Sequence, residues 1–460
     1  MTTPSSSIPA KLKVAGLLSS ALEWYDFFIY GTAAALAFGP LFFPDASGAT
    51  GILLSFATFW AGFIARPIGG VALGSLGDRI GRKPVLLISL ITMATATILI
   101  GLLPTAAAIG VAAPILLVVL RFAQGIAVGG QWGGVVLLLT ESAGARHRGR
   151  AGTFGQMGAP LGFVLGSLVF IAASAVTDSE QFLAWGWRIP FLASVLLVPI
   201  VLFIHFRVED SPEFRRLKEH AEEKAAEREP VKPAPVREIL RSHLRLVLLA
   251  AGLLFASNSM SYLIMTGMLS YGVEHLGLDK SELLTTAMLA AVVMIVTVYV
   301  SGGLSDRYGR RPVIIAGAAA TALWTFPFFW LADSGSIVLV GVASVVGFAA
   351  AGVTYGPVAA YIAELFRPRL RFSGATLAYQ TSAILVSGST PFIVTALLAA
   401  TGSSTAVSAF MLVMALVTLG SALALPETYD AEGAGDGESR TDDRDLPMSA
   451  PAPRDLLPEN

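Results

Sequence analysis

The chain has no cysteine. Disulfides, thiolate metal sites and cysteine nucleophiles are therefore excluded. Charge is scarce as well: Asp, Glu, Lys and Arg make up 14% of the 460 residues, against about 25% in soluble domains. So little charge cannot coat the several cores that a soluble chain of this length would build. Histidine is thin and scattered: His147, His205, His220, His243 and His275 include no pair at metal-ligand spacing. No GxxxxGK[ST] loop is present, so the phosphate cradle of ATP-driven transport is missing. No nucleophile–base constellation occurs either, and the chain does not read as an enzyme.

What is abundant is apolar. Hydrophobic residues make up 54% of the chain, and they fall in long runs. A membrane-crossing helix takes roughly 20 mainly apolar residues. Twelve segments qualify: 14–36, 50–76, 84–103, 111–139, 152–176, 188–207, 245–270, 282–303, 312–332, 336–362, 374–399 and 403–425. The expected fold class is an all-α polytopic membrane protein with twelve transmembrane helices. The polar start at 1–13 leads into an apolar run too long for a signal peptide's hydrophobic region, so that run reads as a retained first span. One connection is long: 208–244 is highly charged, then proline-spaced, and reads as a linker. Residues 426–460 are acidic and rich in Pro, Gly and Ser, and are expected to form a disordered tail.

The basic residues alternate between loops. Lys11, Lys13, "DRIGRKP", "RHRGR", the linker, "DRYGRRP" and "RPRLR" share one side. The other side holds only Arg188 and Lys280. The positive-inside rule then places both termini and the linker in the cytoplasm.

The chain also repeats itself. "GSLGDRIGRKPVLL" begins at Gly74 and "GGLSDRYGRRPVII" at Gly302, 228 residues later. "ESAGARHRGRAGT" from Glu141 and "ELFRPRLRFSGAT" from Glu364 form a second pair, 223 residues apart. The expected organisation is therefore two parallel six-helix bundles, 14–207 and 245–425. Such halves belong to transporters that rock about a central site.

On these residues the chain resembles the major facilitator superfamily. Gly74, Asp78, Arg79, Gly81, Arg82 and Lys83 match that family's loop motif between spans two and three. Gly302, Asp306, Arg307, Gly309, Arg310 and Arg311 match its second copy. "EWYDFFIYG", "FIARPIGG", "LRFAQGIAVGGQWGG", "WGWRIPF" and "EDSPEF" resemble the metabolite:proton symporter group, which includes proline/betaine, α-ketoglutarate, citrate and shikimate carriers. The resemblance implies a multi-pass protein of a prokaryotic inner membrane, working as a monomer on a small molecule and protons. It implies no cofactor beyond the proton gradient and no nucleic-acid partner.

Positive-inside charge alone does not call for Asp78 and Asp306 in the repeated loops. We read the loops as a cytoplasmic latch. Asp78 can accept from arginines or from a helix N-terminus. Arg79 and Arg82 are expected to pair with Glu141, and Arg148 to extend the network. Glu364, Arg369 and Arg371 are expected to repeat the device in the second half.

Charge within the spans is costlier, at about 2.5–3.5 kcal/mol per group at the bilayer centre on insertion scales. Glu23 sits about nine residues into span one and shares a helical face with Asp26 and Tyr30. Arg121 in span four lies at similar depth, and Arg66 in span two nearer the cytoplasm. One reading is structural ion pairs between spans. The other divides the labour: Glu23 and Asp26 exchange protons, and the arginines bind an anionic group of the substrate.

Gln131 departs from the resemblance, because many relatives carry a glutamate there. It can still hydrogen-bond a substrate. Trp132, Asn258, Tyr355 and Gln380 are further candidates to line the path, as are Tyr262 and Tyr379. Gly129, Gly130, Gly133 and Gly134 read as close helix packing. The function expected is secondary active import of a small organic acid or zwitterionic osmolyte with protons. A facilitator or exporter of the same fold, or a substrate-sensing receptor, are the alternatives.

Overall fold

A computed structural model describes residues 10–80, 82–129, 131–196, 239, 241–367 and 370–429. For Gly74, Asp78, Arg79, Arg82 and Gln131 it describes the backbone alone. Gly81, Arg369, nearly all of the linker 208–244 and the tail from 430 lie outside the described residues.

The described chain is helical, with no strand among the described residues. Lipid offers no hydrogen bonds, so each crossing segment must satisfy its own backbone. Span 1 runs Ala10–Ala33, Ala34–Phe38 and Gly39–Phe42. Span 2 is Gly48–Ile80, and span 3 is Arg82–Leu102 with Ile88–Leu102 as its apolar part. Span 4 is Ala112–Glu141 and span 5 is Arg148–Ala175. Span 6 begins at 189 and leaves the described residues after 196. Span 7 is bent by 45° between Leu244–Gly252 and Phe255–Glu274. Spans 8 to 12 are Lys280–Tyr308, Arg310–Ala332, Ile337–Leu365, Arg371–Thr401 and Ser404–Ala424.

Local rules set the ends. Asp279 starts span 8 by accepting from the Ser281 and Glu282 amides at 2.8 and 3.1 Å. Gly309, at φ 97°, makes the reversal from span 8 to span 9, a backbone conformation that side chains with a Cβ resist. The two basic residues on the sparsely charged side have local partners. Arg188 Nη1 donates to the Gly101 and Leu103 carbonyls at the end of span 3, at 2.8 and 2.7 Å. Lys280 Nζ stands 3.8 Å from the centroid of the Phe182 ring.

The sequence repeat has a structural counterpart. Span 1 widens into a π-type turn at Ala34–Phe38 and span 7 at Leu263–Gly267. Their offset of 229 residues nearly equals that of the loop motif. Such turns sacrifice regular hydrogen bonds and recur at functional positions.

Spans 2 and 4 approach closely enough to exclude side chains. A Cβ at Gly125 would lie 2.1 Å from the Gly62 carbonyl oxygen, and one at Gly129 would lie 2.0 Å from that of Arg66. Of the other glycines read as packing residues, Gly133 meets Thr376 of span 11, Gly134 faces open space and Gly130 lies outside the described residues. Gly129→Val is expected to abolish folded protein, with the monodisperse peak lost on size exclusion in mild detergent, because the atoms its Cβ would meet, Arg66 O, Gly70 N and Gly69 C, are all backbone and cannot yield. A normal peak would show that the two spans can part.

Candidate functional site

Span 1 delivers Glu23 and Asp26 to the interior, span 2 Arg66 and span 4 Arg121. Arg66 and Arg121 are almost wholly buried, at 1% and 0% exposure. The Phe27 ring lies between them. Each guanidinium carbon is 3.9 Å from its centroid, so the two cations are no more than twice that distance apart. Phe63 and Trp24 complete the aromatic wall around Arg66, at 4.5 and 5.4 Å. Tyr30 and Phe59 do so for Arg121, at 4.2 and 5.0 Å. Ring faces stabilise a desolvated cation without taking up its N–H donors. Room for Arg121 depends on Gly62, where a Cβ would lie 2.7 Å from Nε.

The carboxylates stand close by. Glu23 is in the electrostatic field of Arg66, and Asp26 in that of Arg121. Among the described residues, however, no ion pair within 4.0 Å joins either arginine to either acid. Nε and Nη2 of both arginines have no hydrogen-bond partner among the described residues. Formal charge balances across the four groups, yet the strongest donors are unused. In a buried site each unmet donor costs on the order of 1–3 kcal/mol.

The second half closes over this centre. Tyr262 of span 7 meets Phe28, Phe59 and Phe63 at 5.8, 6.2 and 5.7 Å between centroids, and its buried hydroxyl lacks a partner among the described residues. Gln380 donates through Nε2 to the Gly129 carbonyl at 2.9 Å, which leaves its buried Oε1 unpartnered among the described residues. Trp132 stacks on Tyr379 at 3.9 Å and 10°, and donates through Nε1 to Gln156 Oε1 at 2.9 Å. Gln156 in turn donates to the Tyr355 carbonyl at 3.2 Å. At the end away from the repeated loops, Trp60 Nε1 donates to the Ile384 carbonyl at 2.8 Å and its ring meets Phe392 at 5.9 Å. The halves therefore touch on both sides of the charged centre, as an occluded carrier would.

Asp306 ties the two halves together at the end that carries the repeated loop motif. Its Oδ1 and Oδ2 accept from the Gly149 and Arg150 amides at the start of span 5, each at 2.8 Å. Arg310 holds the same carboxylate at 2.6 Å and Glu364 at 3.1 Å. Among the described residues, Arg307 reaches the Tyr308 ring and makes no ion pair. Gly302 packs on Thr153 and Gly149 of span 5, where a Cβ would lie 2.1 Å from Thr153 Cγ2.

Glu141 Oε1 pairs with Arg371 Nη1 at 3.3 Å, across the halves; its expected partners Arg79 and Arg82 have side chains outside the described residues. One expected association differs: among the described residues Arg371 makes no ion pair with Glu364. The reason is reach: Arg371 starts span 11 beside the end of span 4, while Glu364 faces Arg310. Arg148 makes no ion pair among the described residues. The side chains of Asp78, Arg79, Arg82 and Gln131 lie outside what the structure describes.

Other expected residues have structural partners. Tyr30 donates to Thr58 Oγ1 at 2.7 Å, and Asn258 donates to Ser382 Oγ at 3.2 Å, tying span 7 to span 11. Of the tail expected from 426, the structure describes residues 426–429. Glu427 accepts from the Arg310 and Arg311 amides at 3.0 and 2.9 Å, and the Tyr361 hydroxyl donates to the Pro426 carbonyl at 2.6 Å.

Residues 16–388 match the Major Facilitator Superfamily. The chain is 37% identical over 423 residues to the inner membrane metabolite transport protein YhjE of Escherichia coli K12, covering 91% of this chain and 94% of that one. It is 36% identical to the shikimate transporter of the same organism, covering 93% and 97%. It is 33% identical to the proline/betaine transporter of Salmonella typhimurium LT2, covering 91% and 83%. Among solved structures it is similar to the partially occluded, inward-open xylose transporter XylE from E. coli, with a TM-score of 0.69 at 19% identity, covering 91% and 98%. The chain belongs to the Major Facilitator Superfamily. It is a multi-pass membrane transporter with two six-helix halves, not an enzyme.

Proposed function

We propose that this superfamily member imports a small carboxylate-bearing metabolite together with protons. Both termini and the linker would lie in the cytoplasm of a prokaryotic cell. The observation that carries the reading is the charged centre at the junction of the halves. Arg66 and Arg121 keep unused N–H donors there, beside two carboxylates that hold neither of them in an ion pair.

A substrate carboxylate would engage those donors, and protonation of Glu23 or Asp26 would restore neutrality. The loaded, neutral centre could then re-expose to the other side. A half-loaded centre would carry an unpaired buried charge, which disfavours the transition. Trp132 with Tyr379, and Gln380 with Gly129, would part on opening toward the cytoplasm. Trp60 and Tyr262 would part on opening outward. Relatives named for shikimate and for proline/betaine include an acid and zwitterions, and every one of these offers the carboxylate that an arginine can grip in bidentate fashion. The energy source would be the proton gradient, with no bound cofactor.

Uptake of labelled shikimate and glycine betaine into vesicles tests this. With an inward proton gradient, at least one of them should accumulate, and the interior should acidify with it. Uptake that ignores the gradient would reject symport in favour of a facilitator, the reading that Gln131 supports.

A further inference from the structure

We infer that Gln124 and Thr97 form a positioning bridge between Arg121 and Asp26, keeping the two from pairing directly. The inference deepens the reading that Asp26 carries the coupled proton.

The geometry is a chain of donors from span 4 to span 3 that ends beside Asp26 of span 1. Arg121 Nη1 donates to Gln124 Oε1 at 3.1 Å. Gln124 Nε2 donates to Thr97 Oγ1 at 2.7 Å. The Thr97 hydroxyl donates to the Met93 carbonyl at 2.9 Å and stands beside the Asp26 carboxylate. Gln124 and Thr97 are 1% and 0% exposed, so water does not replace either of them. Among the described residues, Gln124 Oε1 is the sole acceptor for the Arg121 guanidinium, whose Nε and Nη2 go unpartnered.

The chain has a direction, from cation to carboxylate, and its last hydroxyl has one proton with two acceptors in reach. When Asp26 is ionised, that proton can turn to it, so every dipole in the row aligns and the bonds strengthen one another. When Asp26 is protonated, the hydroxyl serves Met93 and the row relaxes. Direct contact with Arg121 would instead favour the ionised acid strongly, and the proton would not be taken up on each cycle. The spacer also leaves Nε and Nη2 of Arg121 for a substrate anion. Gln124 sits three residues after Arg121, so both project from one face of span 4, a placement that a hydrophobic residue would otherwise fill.

The charged and titratable groups that face Asp26 are Arg121 from span 4 and Tyr25 on its own helix, while span 3 offers the neutral Thr97. Removing the bridge should release Arg121 toward Asp26. The test is infrared spectroscopy of purified full-length protein in lipid, following the protonated-carboxyl band across pH, with the Asp26 band identified by its loss in Asp26→Asn. In Gln124→Leu that band should appear at a pH lower by about one unit or more, the size of effect a neighbouring arginine exerts on an aspartate. Gln124→Met gives the same expectation and guards against a Leu variant that does not fold. A band that appears at the wild-type pH, or at a higher one, in the folded variants overturns the bridge. Because no substrate is involved, that failure stays separate from failure of the symport reading, which vesicle uptake by the wild type decides.

Discussion

Asp26→Asn is expected to reduce proton-driven accumulation to nothing, with the inside-to-outside substrate ratio falling to about one. Asn preserves the size of the side chain and much of its polarity, so the folded protein should still elute normally. What it removes is the exchangeable proton and the counter-charge of Arg121, which lies in the field of Asp26 and has no ion pair among the described residues. An uncompensated cation near the bilayer centre costs about 2.5–3.5 kcal/mol, enough to slow reorientation of the carrier by roughly a hundredfold. Glu23→Gln should lower the initial rate at least about tenfold, because Glu23 stands in the same relation to Arg66. Accumulation ratios in right-side-out vesicles under an inward proton gradient check both. Two variants that accumulate like the wild type would remove the acids from the mechanism.

These acids could be found without coordinates because lipid makes an isolated charge conspicuous. Glu23, Asp26, Arg66 and Arg121 stand out against apolar neighbours, and their depth follows from counting helical rise. The helices were legible for a related reason: a segment in lipid must satisfy its own backbone, so length and hydropathy nearly determine the element. What the sequence could not convey was which side chains meet. Phe27 looks like one more apolar residue of span 1, and only the fold places it between two guanidinium groups. Gln124 carried a weak signal, being polar and three residues from Arg121, but its partner Thr97 comes from another span. Glu141 lies nearest in sequence to arginines of its own half, and its pairing with Arg371 depends on the distance between halves. Glu427 was hidden by the acidic composition of the tail that follows it.

The chain has no cysteine, so any single cysteine introduced into it is the only thiol to label. Thr153→Cys places one at a fully buried site in span 5, packed on Gly302 of span 8. Asp306 holds that junction through the Gly149 and Arg150 amides and is itself held by Arg310. Asp306→Ala removes all three interactions together. It also strands Arg310, which has no exposed surface and, among the described residues, keeps only Glu364 and Ser305 as side-chain acceptors. Hydrogen bonds to charged groups contribute about 1.5–3 kcal/mol each. They are not additive, so a net loss of about 3 kcal/mol is a reasonable expectation, equivalent to roughly a hundredfold change in an equilibrium. The two amide contacts belong to the closed arrangement alone, since opening would separate span 5 from span 8, whereas the Asp306–Arg310 pair lies within the second half and is lost in either state. The variant should therefore favour the inward-open state. In inside-out vesicles, the introduced thiol should react with a membrane-impermeant maleimide at least about tenfold faster than in the same background with Asp306 intact, while uptake falls because outward return is disfavoured. Unchanged labelling with normal uptake would mean that the Asp306 contacts do not govern the cytoplasmic gate.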